Sequence, residues 1–141
     1  MNLSDANNTL SDATGLHINT VDNIYVNIAN LQAMCHLLAA RSGWWDGIDP
    51  FDKYVFGTKI GLIHSEISEA MEGGRKNKMD DHLPHRKAEE VELADAIIRI
   101  FDLAGARRLD VADAIMEKLA YNQQRADHKP EARAATGGKQ F

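Results

Sequence analysis

The sequence predicts an all-α fold, a four- to five-helix bundle, and three observations carry the prediction. Apolar residues recur at three- and four-residue steps in four successive segments. Clusters of Gly, Pro and Asp separate those segments and leave only short connections. No stretch reads convincingly as a strand. Helices linked by short loops bury their apolar stripes against one another, which makes a bundle the expected architecture.

Taken in order, residues 1–20 are rich in Asn, Ser, Asp and Thr with no sustained period, and read as a flexible N-terminal arm. Leu10 or Leu16 could dock that arm on a neighbour. A helical domain is expected over 21–128. Its first helix runs from about Asp22, a potential cap, to Ser42, with Ile24, Ile28, Leu31, Cys35 and Leu38 on the stripe and Gly43 ending it. Trp44-Trp45-Asp46-Gly47-Ile48-Asp49-Pro50 is a turn-rich connection. The second helix is expected from Phe51 to Glu72, stopped by Gly73-Gly74. A basic loop with Arg75, Lys76, Lys78, His82 and His85 leads to a third helix from His85 to Ala104, ended by Gly105. Asp110 is placed to cap a fourth helix reaching Ala126, with Asp113 in its first turn favouring the dipole. Residues 129–141 read as a mobile polar tail.

The chain has 141 residues, enough for one domain with its own core. The net charge of −5 argues against a general nucleic-acid binder, which would show a basic surface. No apolar run approaches the ~18 residues of a membrane span, and no basic-then-apolar signal opens the chain. The single cysteine, Cys35, excludes an intrachain disulfide and reads as a small core residue. A cytoplasmic protein is the expectation that follows.

Chemistry concentrates between Gly61 and Asp102. Glu66-x-x-Glu69 and Glu92-x-x-Asp95 each place two carboxylates on one helix face. A single acidic pair at that spacing usually marks a solvated face. Glu66, however, falls inside the stripe of Leu62, Ile63, Ile67 and Ala70 on a wheel of about 100° per residue. A carboxylate facing the core is costly unless a cation compensates it. If the two helices pack antiparallel, four carboxylates converge. Oxygen-only ligands of that kind suit Mg2+ first and Mn2+ second.

The order Glu66-Ile-Ser-Glu69-Ala, then Glu92-Leu-Ala-Asp95-Ala-Ile-Ile-Arg-Ile, then Lys118-Leu-Ala-Tyr-Asn122-Gln-Gln-Arg125 resembles the signature of the MazG-like, all-α NTP pyrophosphohydrolases. The resemblance covers roughly residues 24–128. It implies attack of a metal-activated water on the α-phosphorus of a nucleoside triphosphate, giving monophosphate and pyrophosphate. It also implies Glu66, Glu69, Glu92 and Asp95 as metal ligands, with one of them or Glu89 acting as base. Lys118 and Arg125 are then expected at phosphate and Asn122 at sugar or base, while Tyr121 is as readily core. Trp45, Trp44 and His36 are the candidates for a base pocket; His82 and His85 are expected to be solvated. Lys139 resembles the tail lysine of the family, although an insert separates it from Arg125. Arg99 stands where some relatives place a tyrosine. The third helix is apolar around most of its circumference, so a second subunit is expected to enclose it; the resemblance implies a homodimer, or a tetramer built from dimers.

Two rival readings need other residues or other behaviour. A ferritin-like redox centre needs Glu-x-x-His pairs, and no glutamate here has a histidine three residues later. A non-catalytic helical metal- or nucleotide-binding or interaction protein is the alternative, separable by metal titration.

Overall fold

The computed structural model describes residues 1–138; Lys139, and with it the tail-lysine reading, lies outside the described residues. Among them are six α-helices and no strand, so the fold is all-helical. None of these helices is long and apolar enough to cross a membrane. The chain divides into two compact units, Met1–Ala29 with the residues from Asp110 onward, and Asn30–Leu109.

In the first unit, helix α1 spans Leu3–Thr14, where a flexible arm was expected. Three things make it helical. The Asn2 side chain caps its start by accepting from the Asp5 N–H at 2.9 Å, and Gly15 closes its end at φ 72°. Leu3, Ala6 and Leu10 then line one face. Ala6 and Leu10 are buried with Val21, Met116 and Ala120, and Leu3, Tyr25 and Ile28 pack around them. Helix α2, Ile18–Arg41, begins a turn earlier than expected. Asp22 is therefore inside it and not a cap, and accepts from the Asn7 side-chain amide at 2.8 Å. Asp110 caps α5, Val111–Gln124, as the sequence indicates, accepting from the Asp113 N–H at 2.9 Å. A 3-10 turn, Ala126–His128, follows, and then a short helix α6, Pro130–Ala134, started by its proline inside the stretch expected to be a mobile tail.

The second unit holds the later part of α2 with α3, Lys53–Lys76, and α4, Ala88–Ala106. Asp52 caps α3, accepting from the N–H groups of Tyr54 and Val55 at 2.8 and 3.0 Å. Gly73-Gly74 does not stop α3. The helix runs through both and closes at Asn77, which takes the left-handed conformation at φ 49°. The glycines serve packing instead. A Cβ on Gly73 would stand 2.9 Å from Ala88 Cβ and 2.9 Å from the Glu89 backbone nitrogen, so α3 and α4 touch backbone to backbone there. Between them, Asp80 is buried and turns the loop by accepting from the His82 and Leu83 N–H groups at 2.9 and 2.6 Å. Helix α4 accordingly starts at Ala88, past His85, and includes Gly105 instead of ending before it. Phe101 and Leu103 of α4 are buried, whereas Leu93, Ile97, Ile98 and Ile100 are exposed.

Candidate metal centre and adjoining cleft

Helices α3 and α4 pack against each other. Their contacts pair Glu66 with Arg99, Glu69 with Glu92, and Gly73 with Ala88, so sequence number rises along one helix as it falls along the other. That antiparallel register brings three of the four carboxylates in the two i, i+3 acidic pairs into one cluster. Carboxylate oxygens of Glu66, Glu69 and Glu92 all lie within 4.8 Å of one another. Glu66 is buried, Glu92 half-buried and Glu69 exposed. Asp95, the fourth residue of the expected ligand set, stands outside that group of three but close enough for its charge and that of Glu66 to act on each other.

Like charges gathered at a half-buried spot resist ionisation. The Glu92 carboxyl is raised above its ordinary value, first by burial, then by a hydrogen bond with Glu66 and the charges of Glu69, Glu66 and Asp95. Asp95 is raised as well, by burial and the Glu66 charge, with Arg99 pulling the other way. The buried Glu66 has a protein cation: Arg99 Nε donates to its Oε1 at 2.6 Å. An oxygen-only donor set with surplus negative charge fits a hard divalent cation.

Beside the cluster opens a cleft of about 280 Å³ lined by residues that include Trp44, Lys59, Leu62, Asp95, Arg99 and Asp102. Asp102 is buried, and its Oδ1 accepts from Trp45 Nε1 at 2.7 Å and pairs with His36 Nδ1 at 3.0 Å. The His36 and Trp45 rings meet edge-on, 6.0 Å between centroids. Lys59 Nζ sits 4.2 Å from the centre of the Trp45 ring, on its face. Trp45 is thus held in place by Asp102 and Lys59. Trp44, 70% exposed, is the tryptophan that lines the cleft.

The four acidic residues, His36 and Trp45 therefore share the Asn30–Leu109 unit, whereas Lys118, Asn122 and Arg125 belong to the other. In that unit Lys118 lies over its own neighbour's ring, 4.8 Å from the Tyr121 centroid. Arg125 is forked onto Asp127, Nε to Oδ1 at 3.0 Å and Nη2 to Oδ2 at 2.6 Å, which lowers the Asp127 carboxyl to about 2. The Asn122 Oδ1 atom is buried with no hydrogen-bond partner among the described residues. His82 and His85 are both exposed, as expected. Glu89 is half-buried against Gly74.

Three residues of the cleft escaped the sequence reading as site residues: Lys59, Arg99 and Asp102. Arg99 and Asp102 could have been found, because they share the polar strip of Glu92 and Asp95 on a helix that is otherwise apolar. Lys59 carries no such signal. Comparison of the chain with protein-family models, with curated proteins and with solved structures finds no match.

Proposed function

We propose that the protein is a Mg2+-dependent nucleoside-triphosphate pyrophosphohydrolase of the MazG-like kind, acting on an NTP or dNTP to clear or trim the nucleotide pool. The observation that carries the reading is the convergence of Glu66, Glu69 and Glu92 within 4.8 Å, beside a cleft bearing Lys59, Arg99 and Trp44. Glu66, Glu69 and Glu92 would hold Mg2+, or Mn2+ in its place. Such an ion lowers the pKa of a bound water and neutralises phosphate charge. Asp95 lines the same cleft, where it can complete the ligand set or accept the proton of the attacking water. Lys59 and Arg99 offer positive charge to a triphosphate, and the exposed ring of Trp44 offers a face on which a base can stack. His36 and Trp45 would support the base pocket through Asp102, which lines it and to which both are tied. The reading carries a cytoplasmic location with it.

A screen of all common NTPs and dNTPs with Mg2+, scoring pyrophosphate and orthophosphate separately, tests it. Pyrophosphate and monophosphate in equal amounts are the expected products. Orthophosphate release would point to attack at the outer phosphate instead. Silence across the panel, with Mn2+ also tried, would favour the alternative of a helical protein that binds metal or nucleotide without cutting.

The same reading includes a homodimer, or a tetramer built from dimers. Leu93, Ile97, Ile98 and Ile100 of α4, with Met34 and Leu38 of α2, are large apolar side chains exposed in the single chain. Exposed apolar surface of this kind is what an obligate interface covers. Light scattering at micromolar concentration should give at least twice the chain mass; a monomer would remove this part of the proposal.

A further inference from the structure

The buried Glu66 carboxylate already has a cation, and that cation is poorly fixed. Its side chain is 9% exposed, whereas that of Arg99 is 44% exposed. Burial makes an ionised Glu66 costly without a counter-charge, yet nothing comparable confines the guanidinium. Arg99 bonds through Nε to one oxygen. It does not use the two-pronged grip that arginine makes on a carboxylate or a phosphate when the pairing is permanent. Arg99 also lines the cleft, together with Lys59. It is therefore placed between two anions: the glutamate it holds, and whatever anion enters the cleft.

We propose that Arg99 is a displaceable counter-cation. It neutralises Glu66 while the carboxylate cluster holds no ion, and turns its guanidinium to phosphate in the cleft once a divalent cation takes Glu66. The inference rests on the pyrophosphohydrolase reading for the identity of its ligands, a divalent cation and a polyphosphate anion. The reason for the exchange is electrostatic. A doubly charged ion and a guanidinium on the same carboxylate repel each other, and a half-exposed arginine is free to leave at little cost. Binding of the metal would then create the anion site, and the anion would relieve the competition for the metal. Each ligand strengthens the other through one side chain.

The competing role is that of a supporting contact, in which Arg99 orients Glu66 for the ion and stays on it. The two roles predict opposite signs. Calorimetric titration with Mn2+ alone should show Arg99→Gln binding more tightly than wild type, by roughly fivefold, the scale of one partly exposed ion pair. A supporting contact would instead weaken Mn2+ by roughly 10–100-fold on removal, and that result, or no change, overturns the proposal. Mn2+ with inorganic tripolyphosphate is the second probe. The preformed complex should bind Arg99→Gln more weakly than wild type, and equal binding overturns the phosphate half of the exchange. Arg99→Lys, which keeps the charge, should hold Mn2+ affinity near wild type.

A measurement on the wild-type chain guards against a variant that folds poorly. The Arg99 side-chain Nε–H resonance in a nitrogen-15 spectrum, assigned by its loss in Arg99→Lys, should shift on addition of Mg2+ and shift again with tripolyphosphate. A resonance that stays in place while Mg2+ binds overturns the displacement. If neither wild type nor variant takes up Mn2+ at all, the metal-dependent reading itself falls, and the exchange with it. That outcome is distinct from binding that Arg99 leaves unmoved.

Discussion

Glu69→Ala is expected to abolish nucleotide turnover while leaving the helical content nearly intact, and Asp95→Ala to do the same. The two residues stand differently, so the variants probe different things. Glu69 is exposed and contributes an oxygen to the group of three within 4.8 Å. Its loss removes one of the three carboxylates that would fix the cation and leaves Glu66, already held by Arg99, and Glu92 to do so. Asp95 is outside that group and lines the cleft, so its loss tests the proposed role of a residue facing the phosphate. In both variants the fall in kcat should exceed the roughly 10–100-fold that removal of a supporting contact costs. Neither should cost stability in metal-free protein. Glu69 is exposed, and removing one of several mutually repelling carboxylates lowers the electrostatic cost of folding. Steady-state turnover with Mg2+, far-ultraviolet circular dichroism and thermal melts read these outcomes together. Activity retained in either variant would take that residue out of the catalytic set.

Gly73→Ala is the substitution expected to damage the framework most for its size. Helix propensity alone favours alanine in a helix interior by roughly 0.5–1 kcal/mol. Packing opposes it, because the new methyl would stand 2.9 Å from Ala88 Cβ and 2.9 Å from the Glu89 backbone nitrogen. Backbone cannot swing aside as a side chain can, so the start of α4 must move away from α3. Overpacking of that kind costs roughly 1–3 kcal/mol, and the clash wins. Gly74→Ala makes the control. Its methyl meets chiefly the Glu89 carboxylate, the far end of a flexible chain that can turn away, so propensity should decide and stability should hold or rise. Chemical denaturation of both variants reads the difference directly. Equal midpoints would mean that the close approach at Gly73 carries no energy.

That glycine pair also marks where the sequence was hard to read. Two consecutive glycines signal a helix end by propensity, and only the partner helix reveals that they are a contact point. The same limit applies to residues 1–20. Their polar composition suggested an arm, yet Leu3, Ala6 and Leu10 were already at helical spacing, and what they needed was a surface containing Met116 and Ala120, more than a hundred residues away. The burial of Glu66, by contrast, was legible from its own helix, where it shares a face with the half-buried Ile63 and the buried Ala70, although Leu62 and Ile67 of the same stripe are exposed. The cap at Asp110 was legible for the same reason. Arg99 as the partner of Glu66 was not, since the pair is separated by 33 residues and depends on the register of α3 against α4. Local periodicity gives faces; only packing gives partners.

The Asp102 oxygen that receives both His36 and Trp45 has a consequence for hydrogen-bond chemistry. Indole N–H can only donate, and an ionised carboxylate can only accept. An imidazole whose Nδ1 lies 3.0 Å from that oxygen must carry its hydrogen there. While the ring is neutral, the tautomer is thereby fixed and Nε2 is left with a lone pair. The single carboxylate thus sets the hydrogen-bond polarity of His36 as well as its position: Nε2 accepts from an amino or imino group, and repels a carbonyl oxygen.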